Sequence, residues 1–292
     1  MKIQLSFKEL LEKVLGKVSP SFLFSLRYWK VYGRMLNYKH PKSFYEKVGY
    51  LEFFTDTSEM GRMADKVAVR DYVRQKGLSY LLNDLLGVYR CSSEINYSQL
   101  PNRFVLKTNH GSATNIIVRE KNKLDIIKTN QQLDDWLKID YGHITGQPHY
   151  SHIKPLILAE AFLDNGDNKI LTDYKFWCIN GSPRFCQIMS DRVPNSHAFR
   201  TMFFDMDWNA HPEYVMGAQS DLNEPKPECF EVMRSAAATL AQGFPYVRVD
   251  FYNIKGKAIF GEMTFTPGFA NNTIAFFDML GEELNIDKYL NN

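Results

Sequence analysis

One stretch near the end of the chain alternates apolar residues with acidic, basic and hydroxyl side chains. The alternation continues on both sides of Asn253–Gly256, which predicts two strands joined by a tight turn. In such a hairpin Asp250 and Glu262 are neighbours, and Arg248 and Thr264 lie on the same face. Two carboxylates that close repel each other unless a positive charge lies between them. Because Mg²⁺ prefers one or two carboxylates together with substrate phosphates, the pattern indicates a nucleotide site; the alternative is a surface hairpin whose polar face meets water.

A second segment has the composition of a phosphate-binding loop. Phe104–Lys107 is a short apolar strand that ends in a lysine, and small polar residues separate it from a second apolar strand, Ile116–Val118. Gly111 would let backbone amides approach phosphate oxygens, and Ser112 could donate a hydrogen bond to them. The pattern favours a flexible loop over bound phosphates, with an ordinary hairpin connection as the alternative.

Four segments of the chain resemble one known family. They are residues 64–73 (ADKVAVRDYV), 104–112 (FVLKTNHGS), 173–181 (DYKFWCING) and 260–268 (FGEMTFTPG). Together they are similar to the TupA-like branch of the ATP-grasp superfamily, named after a teichuronopeptide biosynthesis protein. The likeness extends from about Asn37 to Phe269 and so includes most of the chain.

The resemblance implies a set of metal ligands. In the ATP-grasp family an Asp, a Glu and a third residue two positions after the Glu hold two Mg²⁺ ions against the nucleotide phosphates. The corresponding residues here are Asp250, Glu262 and Thr264. The third residue is usually Asn, so Thr264 departs from the family pattern, although a hydroxyl can contact Mg²⁺ or hold a coordinated water.

The resemblance also implies the residues that bind ATP. Two lysines and a small-residue loop are implied for the phosphates, the segment 160–163 for the adenine base, and an Asp-x-Lys step for the ribose and phosphates. The implied ATP-binding residues are Lys66, Lys107, Gly111, Ser112, Glu160, Ala161, Phe162, Leu163, Asp173 and Lys175. From the residues alone, a single Glu in a buried strand is more often a paired structural group, and Lys175 could face solvent.

The implied chemistry is ATP-dependent ligation of a carboxylate to an amine. A carboxylate attacks the γ-phosphate poorly because both groups are anionic, so Mg²⁺ with Lys66, Lys107 and Arg248 would neutralise and align the reacting oxygens. An acylphosphate forms, and an amine then attacks its carbonyl while Arg248 steadies the oxyanion. The family context predicts that an amino acid is joined to a uronic acid or similar carboxylate of a cell-surface polysaccharide or its precursor.

The resemblance implies an α+β fold of the ATP-grasp type, in which two lobes sandwich the nucleotide. We expect a helical N-terminal cap at 1–62, a small lobe with the phosphate-binding loop at 63–158, and a large lobe with the Mg-binding hairpin at 159–292. The spacing of apolar residues predicts helices over Leu124–Leu137 and Glu228–Gln242.

Composition limits the other possibilities. The chain has 292 residues and a net charge of +2, so it can bury a sizeable core and has no overall charge that favours nucleic acid. Its four cysteines lack metal-ligand spacing and are expected to be mostly buried free thiols in a reduced compartment. Charged residues interrupt the apolar runs near the N-terminus, so we expect neither a signal peptide nor a transmembrane span and predict a cytoplasmic protein.

The N-terminal segment has two interpretations. Residues 2–17 place apolar side chains among lysines with partly helical spacing, and residues 19–34 mix aromatic with basic residues. A basic amphipathic helix can rest on anionic lipid, which would mean peripheral contact with the inner face of the membrane. The other interpretation is a helical cap packed on the ATP-binding lobes.

Two other functions stay open. Phe204–Trp208 contains Asp-x-Asp, the short motif by which many nucleotide-sugar-dependent glycosyltransferases hold a metal. However, Asp207–Asn209, just before His211-Pro212, is better explained as a turn that ends a strand. A non-catalytic glycan-binding protein that retains the fold is the second alternative. It is favoured by Thr264 and by aromatic residues expected to be exposed, Trp136, Tyr141 and Tyr150.

A histidine-containing segment, Tyr141–His152, has spacing that fits neither a helical zinc pair nor a catalytic triad. Its glycines predict a loop. Because loops often carry binding residues, this segment could contact the acceptor.

Overall fold

The computed structural model describes residues 7–166, 170–191, 199–217, 223–269 and 271–290. Within these ranges the strands are β1 (Leu85–Tyr89), β2 (Phe104–Thr108), β3 (Asn115–Val118), β4 (Ile157–Ala161), β5 (Asp173–Ile179), β6 (Ser182–Ser190), β7 (Arg200–Asp205), β8 (Tyr246–Ile254) and β9 (Lys257–Thr264). The α-helices are α1 (Phe7–Val18), α2 (Pro20–Tyr32), α3 (Phe44–Phe54), α4 (Ser58–Ala64), α5 (Val69–Gln75), α6 (Ile126–Leu137), α7 (Tyr141–Thr145), α8 (Phe230–Ala241), α9 (Ile274–Glu283) and α10 (Asp287–Leu290).

The strands form two antiparallel sheets. One has four strands in the order β1-β4-β2-β3, and the other has five in the order β7-β6-β5-β8-β9. Two sheets combined with helices confirm the expected α+β class.

The chain divides into two compact units, each built from several segments. The first unit contains the four-stranded sheet and consists of Met1–Leu23, Thr57–Gln75 and Leu82–Leu163. The second unit contains the five-stranded sheet and consists of Phe24–Asp56, Lys76–Leu81 and Asp164–Asn292. The segment 1–62, expected to be one helical cap, contributes to both units.

The core of the first unit lies between the four-stranded sheet and α6. Phe104 of β2 is fully buried and belongs to one apolar cluster with Leu133 of α6. The side chain of Asp125 accepts a hydrogen bond from a backbone N–H in the first turn and so caps α6. The helix predicted over 124–137 is confirmed.

The core of the second unit covers both faces of β5, which is buried along its whole length. The Phe176 ring lies 5.6 Å from that of Phe230 in α8, and the Trp177 ring lies 5.1 Å from that of Phe276 in α9. Because neighbouring strand residues point to opposite faces, helices pack on both sides of this strand. The helix predicted over 228–242 is confirmed as α8.

The predicted hairpin is formed by β8 and β9. Its turn consists of Lys255 and Gly256, which have positive φ angles of 52° and 81°, as two-residue hairpin turns require. A regular ladder continued from this turn would pair Asp250 with Gly261. Instead the register shifts after Asp250, which pairs with Glu262.

Gly261 is the extra residue of this β-bulge. A Cβ atom at Gly261 would lie 3.0 Å from the carbonyl oxygen of Asp250 and 3.3 Å from the ring of Tyr252, so the missing side chain permits a close approach. Without the bulge, the alternation of side chains would place Glu262 on the opposite face from Asp250. The expected proximity of the two acids is confirmed, through a bulge that the sequence pattern did not predict.

The prediction of a loop at 141–152 is wrong. The segment forms α7 and then a short 3₁₀ helix, Pro148–His152. The Asp140 side chain accepts a hydrogen bond from the His143 N–H at 3.3 Å, and Gly146, with a φ of 69°, ends α7. Of the two glycines that suggested a loop, Gly146 is therefore a helix C-cap, and Gly142 lies within α7.

The aromatic residues expected to be exposed are half-buried instead. Trp136 packs against the apolar cluster of the first unit, and the rings of Tyr141 and Tyr150 lie 4.9 Å apart. These rings are therefore partly covered by apolar and aromatic side chains of the first unit. No helix in the described ranges is long and apolar enough to cross a bilayer.

Candidate active site

Three charged side chains form a row across the five-stranded sheet. Lys175 of β5 pairs in register with Asp250 of β8, and Asp250 pairs with Glu262 of β9. Directly paired residues have their side chains on the same face. The Lys175 Nζ lies 2.6 Å from Asp250 Oδ2. The sheet therefore brings together three residues that were predicted to bind metal or phosphate.

Arg248 contacts all three predicted metal ligands. Its Nε and Nη2 donate hydrogen bonds of 2.7 Å each to the two carboxylate oxygens of Asp250, an arrangement that is geometrically specific and strong. Nη2 also lies 3.1 Å from Thr264 Oγ1 and 3.5 Å from Glu262 Oε1. Arg248 thus supplies the positive charge that two adjacent carboxylates require.

Burial and charge compete within this cluster. Asp250 is 3% exposed and Lys175 is 7% exposed, whereas the Glu262 side chain is 36% exposed. Burial raises the pKa of Asp250, but Arg248 and Lys175 more than offset it, so the net pKa is below the usual value. Burial lowers the pKa of Arg248, and the neighbouring Asp250 reverses that effect and raises it. Asp250 and Arg248 are therefore both charged at neutral pH.

The oxygen donors at this position fit Mg²⁺. Asp250, Glu262 and Thr264 offer hard oxygen atoms on one face, and Thr264 Oγ1 lies 3.4 Å from Glu262 Oε1. Across the described ranges, no group of three or more His, Cys, Asp or Glu side chains is arranged to hold a metal ion. An ion here would therefore complete its shell with phosphate oxygens and water. The assignment of these three residues as metal ligands stays a prediction.

The Asp-x-Lys step of β5 lies beside the same carboxylates. Lys175 is paired with Asp250 rather than facing solvent, and its Nζ is 3.8 Å from Asp173 Oδ1. Asp173 is itself 4% exposed. The predicted contacts of these two residues with ribose and phosphate stay predictions.

Gln187 extends the polar row to a fourth strand, and no motif pointed to it. It pairs in register with Lys175. Its amide accepts a hydrogen bond from Trp177 Nε1 at 3.2 Å and donates to Thr201 Oγ1 at 3.3 Å and to Asn272 Oδ1 at 3.2 Å. The sequence contained one signal for this residue, a glutamine within an otherwise apolar stretch of β6. A buried side-chain amide needs hydrogen-bond partners, so such a glutamine indicates a polar contact inside the protein.

In the first unit, Glu160 of β4 joins two cations. Lys107 Nζ lies 2.6 Å from Glu160 Oε2, and Arg70 Nη1 lies 3.3 Å from Oε1. The Glu160 side chain is 12% exposed, so its charge needs these partners. The structure therefore brings Lys107 and Glu160 together and adds Arg70, which had no predicted role.

Lys66 is held against the predicted phosphate-binding loop. Its Nζ donates a hydrogen bond of 2.7 Å to the Gly111 carbonyl. Asn109 fixes the start of the loop, since its Nδ2 lies 2.9 Å from Asp65 Oδ1 and its Oδ1 accepts the Leu156 N–H at 2.7 Å. The expected arrangement of strand, loop and strand is confirmed, and Asn109 is a positioning residue that sequence reasoning missed.

The loop tip remains open to solvent. Ser112 is exposed, whereas Gly111 is buried and a Cβ atom there would lie 3.1 Å from the ring of Tyr141. A larger residue than glycine would displace the tyrosine. Contacts of Gly111 and Ser112 with phosphates stay predictions.

The predicted base-binding segment ends the first unit. Ala161 N–H donates to the Asp84 carbonyl at 3.0 Å, and Asn83 Nδ2 donates to the Ala161 carbonyl at 2.8 Å. Both main-chain groups of Ala161 are therefore engaged within the unit. Recognition of a base by main-chain groups is a prediction that rests mainly on Phe162 and Leu163.

The Asp-x-Asp segment forms a turn at the end of β7. Asp205 accepts hydrogen bonds from the N–H groups of Asp207 at 2.9 Å and Asn209 at 2.8 Å. The prediction of a turn that ends a strand is confirmed. Because the Asp205 carboxylate is used inside the turn, the segment gives little support to a glycosyltransferase metal site.

Comparisons with known proteins agree with the motifs. The family model for TupA-like ATPgrasp matches residues 46–285, which is most of the chain. No curated protein sequence matches the chain significantly.

Solved ATP-grasp structures are similar in fold. D-alanine–D-alanine ligase from Bacillus anthracis is 15% identical, with a TM-score of 0.50 and coverage of 83% of this chain and 72% of that chain. Its ATP complex is 14% identical, with a TM-score of 0.49 and coverage of 78% and 65%, so this chain spans slightly less than two thirds of that protein. D-cycloserine synthetase DcsG is 14% identical, with a TM-score of 0.45 and coverage of 77% and 72%.

At these identities the structural likeness shows the fold alone, and the family model carries the assignment. It covers most of the sequence, including the two lysines of the first unit and the charged row of the second. The chain therefore belongs to the TupA-like ATP-grasp family and has the ATP-grasp fold.

Proposed function

We propose that this ATP-grasp protein is a ligase that uses ATP to join an amino acid or another amine to a carboxylate of a cell-surface polysaccharide or its precursor. Family membership supports the general activity, an ATP-dependent enzyme that forms a carbon–nitrogen bond from a carboxylate and an amine. The TupA-like branch supports a glycan carboxylate, such as a uronic acid. The observation that carries the proposal is the cluster of Arg248, Asp250, Lys175 and Glu262 on one sheet face.

This cluster suits phosphoryl transfer between two anions. A carboxylate and the γ-phosphate of ATP repel each other, and Arg248 and Lys175 provide fixed positive charge beside the acidic pair. Asp250 and Glu262, with Thr264 beside them, would hold Mg²⁺, and the family pattern implies two ions. When bound, Mg²⁺ neutralises phosphate charge and aligns the reacting oxygens.

The proposed reaction has two steps. The substrate carboxylate oxygen attacks the γ-phosphorus, the bond to the bridging oxygen of ADP breaks, and an acylphosphate is formed. The amine then attacks the acyl carbon, phosphate leaves with the C–O bond electrons, and the amine loses a proton to give the amide. Arg248 would stabilise the oxyanion of the second step.

The remaining predicted residues bind ATP in this proposal. Lys66 and Lys107 bind its phosphates, together with the loop around Gly111 and Ser112. The segment Glu160–Leu163 would hold the base. The contacts of Lys66 with this loop and of Lys107 with Glu160 support a shared role within the first unit.

The reaction needs no nucleophilic side chain, and the cysteines agree with this. Cys178, Cys186 and Cys229 are buried, and burial raises the pKa of each thiol, which keeps them uncharged at neutral pH. We propose a cytoplasmic enzyme, since ATP is its cosubstrate.

A coupled assay tests the proposal. The protein is incubated with ATP, MgCl₂, a panel of amino acids and uronic-acid oligosaccharides, and ADP, phosphate and amide are measured. We expect ADP and phosphate in equal amounts only when carboxylate and amine are both present. Titration of MgCl₂ at fixed ATP gives the number of ions required.

The same assay separates the alternatives. The matched control is Asp207→Asn, because Asp207 is an exposed acid of the second unit outside the charged cluster. A ligase keeps its activity in this variant. Consumption of a nucleotide sugar that depends on Asp207 would instead indicate a glycosyltransferase, and glycan binding without ATP turnover would indicate a binding protein.

A further inference from the structure

The first helix exposes an apolar stripe to solvent. Leu11, Val14 and Val18 of α1 follow one another at spacings of three and four residues and therefore lie on one helical face. Their exposed fractions are 48%, 50% and 79%. A helix on a globular protein normally buries such a stripe against the core. The stripe of α1 is thus not explained by packing within the described part of the first unit.

The helix packs through another side. Gly16 is buried, and a Cβ atom there would lie 1.7 Å from the carbonyl oxygen of His143 in α7. Gly16 is two positions from both Val14 and Val18, which is a rotation of about 200° around a helix with 3.6 residues per turn. The packed side and the apolar stripe are therefore on roughly opposite sides of α1.

Basic residues accompany the exposed stripe. Lys17 is exposed and is adjacent in sequence to Val18. Residues 1–23, the part of this region that belongs to the first unit, contain four lysines and two glutamates. The next helix, α2, exposes Phe22 at 46% within the same unit. Apolar and aromatic side chains next to lysines are typical of helices that lie at a lipid interface.

We propose that α1 binds the surface of an anionic lipid bilayer, with Leu11, Val14 and Val18 inserted between headgroups and Lys17 near the lipid phosphates. The charge decides between the possible partners. A second copy of the chain would bring its own Lys17 to the stripe, where the like charges repel, whereas anionic lipid attracts Lys17. The inference does not depend on the proposed ligase activity, although it would bring the protein close to lipid-linked glycans.

Vesicle flotation with the full chain tests this inference. The probes are vesicles of pure phosphatidylcholine and vesicles with three parts phosphatidylcholine to one part phosphatidylglycerol, without ATP or glycan. We expect binding to the anionic vesicles only, reduced by high salt. The double variant Leu11→Ser with Val14→Ser should lose about tenfold or more in partition coefficient, because two apolar side chains no longer enter the interface.

Two further variants complete the test. Ile127→Ser removes an apolar side chain that is 83% exposed in α6 of the same unit, and it should bind vesicles like the wild type. Lys17→Glu should weaken binding to anionic vesicles without changing the thermal midpoint. Equal binding to both vesicle types, or full binding by the double variant, would overturn the proposal.

Sedimentation velocity tests whether the stripe of α1 instead mediates self-association. A wild-type dimer that the double variant converts to a monomer would assign the stripe to self-association and overturn the lipid proposal. Ligase activity without vesicle binding would refute this inference alone, and vesicle binding without ligase activity would refute only the proposed function.

Discussion

Asp250 has two roles in the charged cluster, and the two respond differently to mutation. Its carboxylate accepts hydrogen bonds from Arg248 on the same strand and from Lys175 on the neighbouring strand. It is also one of the two acids proposed to bind Mg²⁺. A change at Asp250 therefore alters stability and chemistry together, whereas Glu262 is more exposed and has a weaker contact, 3.5 Å from Arg248.

For this reason Glu262→Gln is the cleaner test of metal binding. The substitution removes one carboxylate charge and keeps the size of the side chain. We expect turnover to fall by about 100-fold or more, as for loss of a group that stabilises transferred phosphoryl charge, with the unfolding free energy changed by less than about 1 kcal/mol. Steady-state kinetics and urea denaturation measure the two effects. Normal turnover over a range of MgCl₂ concentrations would refute the assignment.

Asp250→Ala should abolish turnover and also destabilise the second unit. The substitution leaves the buried cations Arg248 and Lys175 without their carboxylate, which typically costs about 3–5 kcal/mol. Because of these buried ion pairs, the variant should lose stability as well as activity. Urea denaturation of the variant beside Glu262→Gln measures the difference. Equal stability of the two variants would contradict this account of the cluster.

The same cluster predicts a pH dependence of stability. The pKa of Asp250 is lowered in the folded state, so its contribution is fully present above the unfolded value of about 3.9 and is lost as pH falls through the lower folded value. In Asp250→Asn this contribution is missing at every pH. The difference in unfolding free energy between wild type and variant should therefore shrink below about pH 4. A constant difference from pH 7 to pH 3 would argue against it.

At the scale of elements, the bulge in the β8–β9 hairpin determines whether the site exists. Gly261 shifts the register by one residue, and this shift puts Glu262 on the same face as Asp250. Bulges are frequent next to active sites because they redirect a side chain without breaking the sheet.

Gly261→Val tests the bulge. The larger side chain meets the Asp250 carbonyl and the Tyr252 ring, so we expect the strand ends to separate, with a loss of about 1–3 kcal/mol and of most turnover. Gly268→Ala is the stability control, because a Cβ atom there meets nothing within 4 Å. If Gly261→Val is as stable and active as wild type, the close approach is not required.

The loop after β9 is fixed by N-terminal helices of the same unit. Tyr45 of α3 donates from its hydroxyl to the Gly268 carbonyl at 2.9 Å and is 3.2 Å from the Pro267 carbonyl. Tyr32 of α2 donates to the Asn272 carbonyl at 2.8 Å. These helices therefore hold the chain that directly follows the proposed metal-binding strand.

Tyr45→Phe removes these hydrogen bonds and keeps the ring. We expect a loss of about 1–2 kcal/mol in unfolding free energy, because the carbonyl of the buried Pro267 loses its donor, and a reduced turnover. Tyr50→Phe is the matched control, since the Tyr50 hydroxyl is 3.3 Å from the Tyr289 carbonyl in another part of the unit. If the two variants lose the same unfolding free energy and the same turnover, the contact of Tyr45 with the loop does not hold the site in place.

For the whole molecule, ATP binding should appear as added stability. A ligand that binds only the folded state stabilises it by about 2.7 kcal/mol at 100 times its dissociation constant. We expect a non-hydrolysable ATP analogue with MgCl₂ to raise the thermal midpoint, and EDTA to remove most of the rise. In Lys107→Met the rise should be much smaller, whereas the exposed Lys128→Met should behave as wild type. An equal rise of the thermal midpoint in both variants would show that Lys107 does not bind ATP.

The sequence by itself determined the local features of this protein. Alternation predicted the β8–β9 hairpin, helical spacing predicted α6 and α8, and four short segments indicated the ATP-grasp family. These features depend on the periodicity of apolar residues over short stretches of sequence. The loop at 141–152 was mispredicted because a glycine that ends a helix and a glycine in a loop look alike in sequence.

Only the tertiary structure decided which side chains meet. The bulge at Gly261, the ion pairs of Lys175 and Lys107, and the linking role of Gln187 depend on strand register and on neighbours distant in the chain. A shift of one residue reverses the face of every side chain, so no local pattern could fix these contacts. The exposure of the α1 stripe was also decided only by the tertiary structure. Amphipathic spacing in sequence is equally compatible with a helix that packs on a core and with a helix that binds lipid.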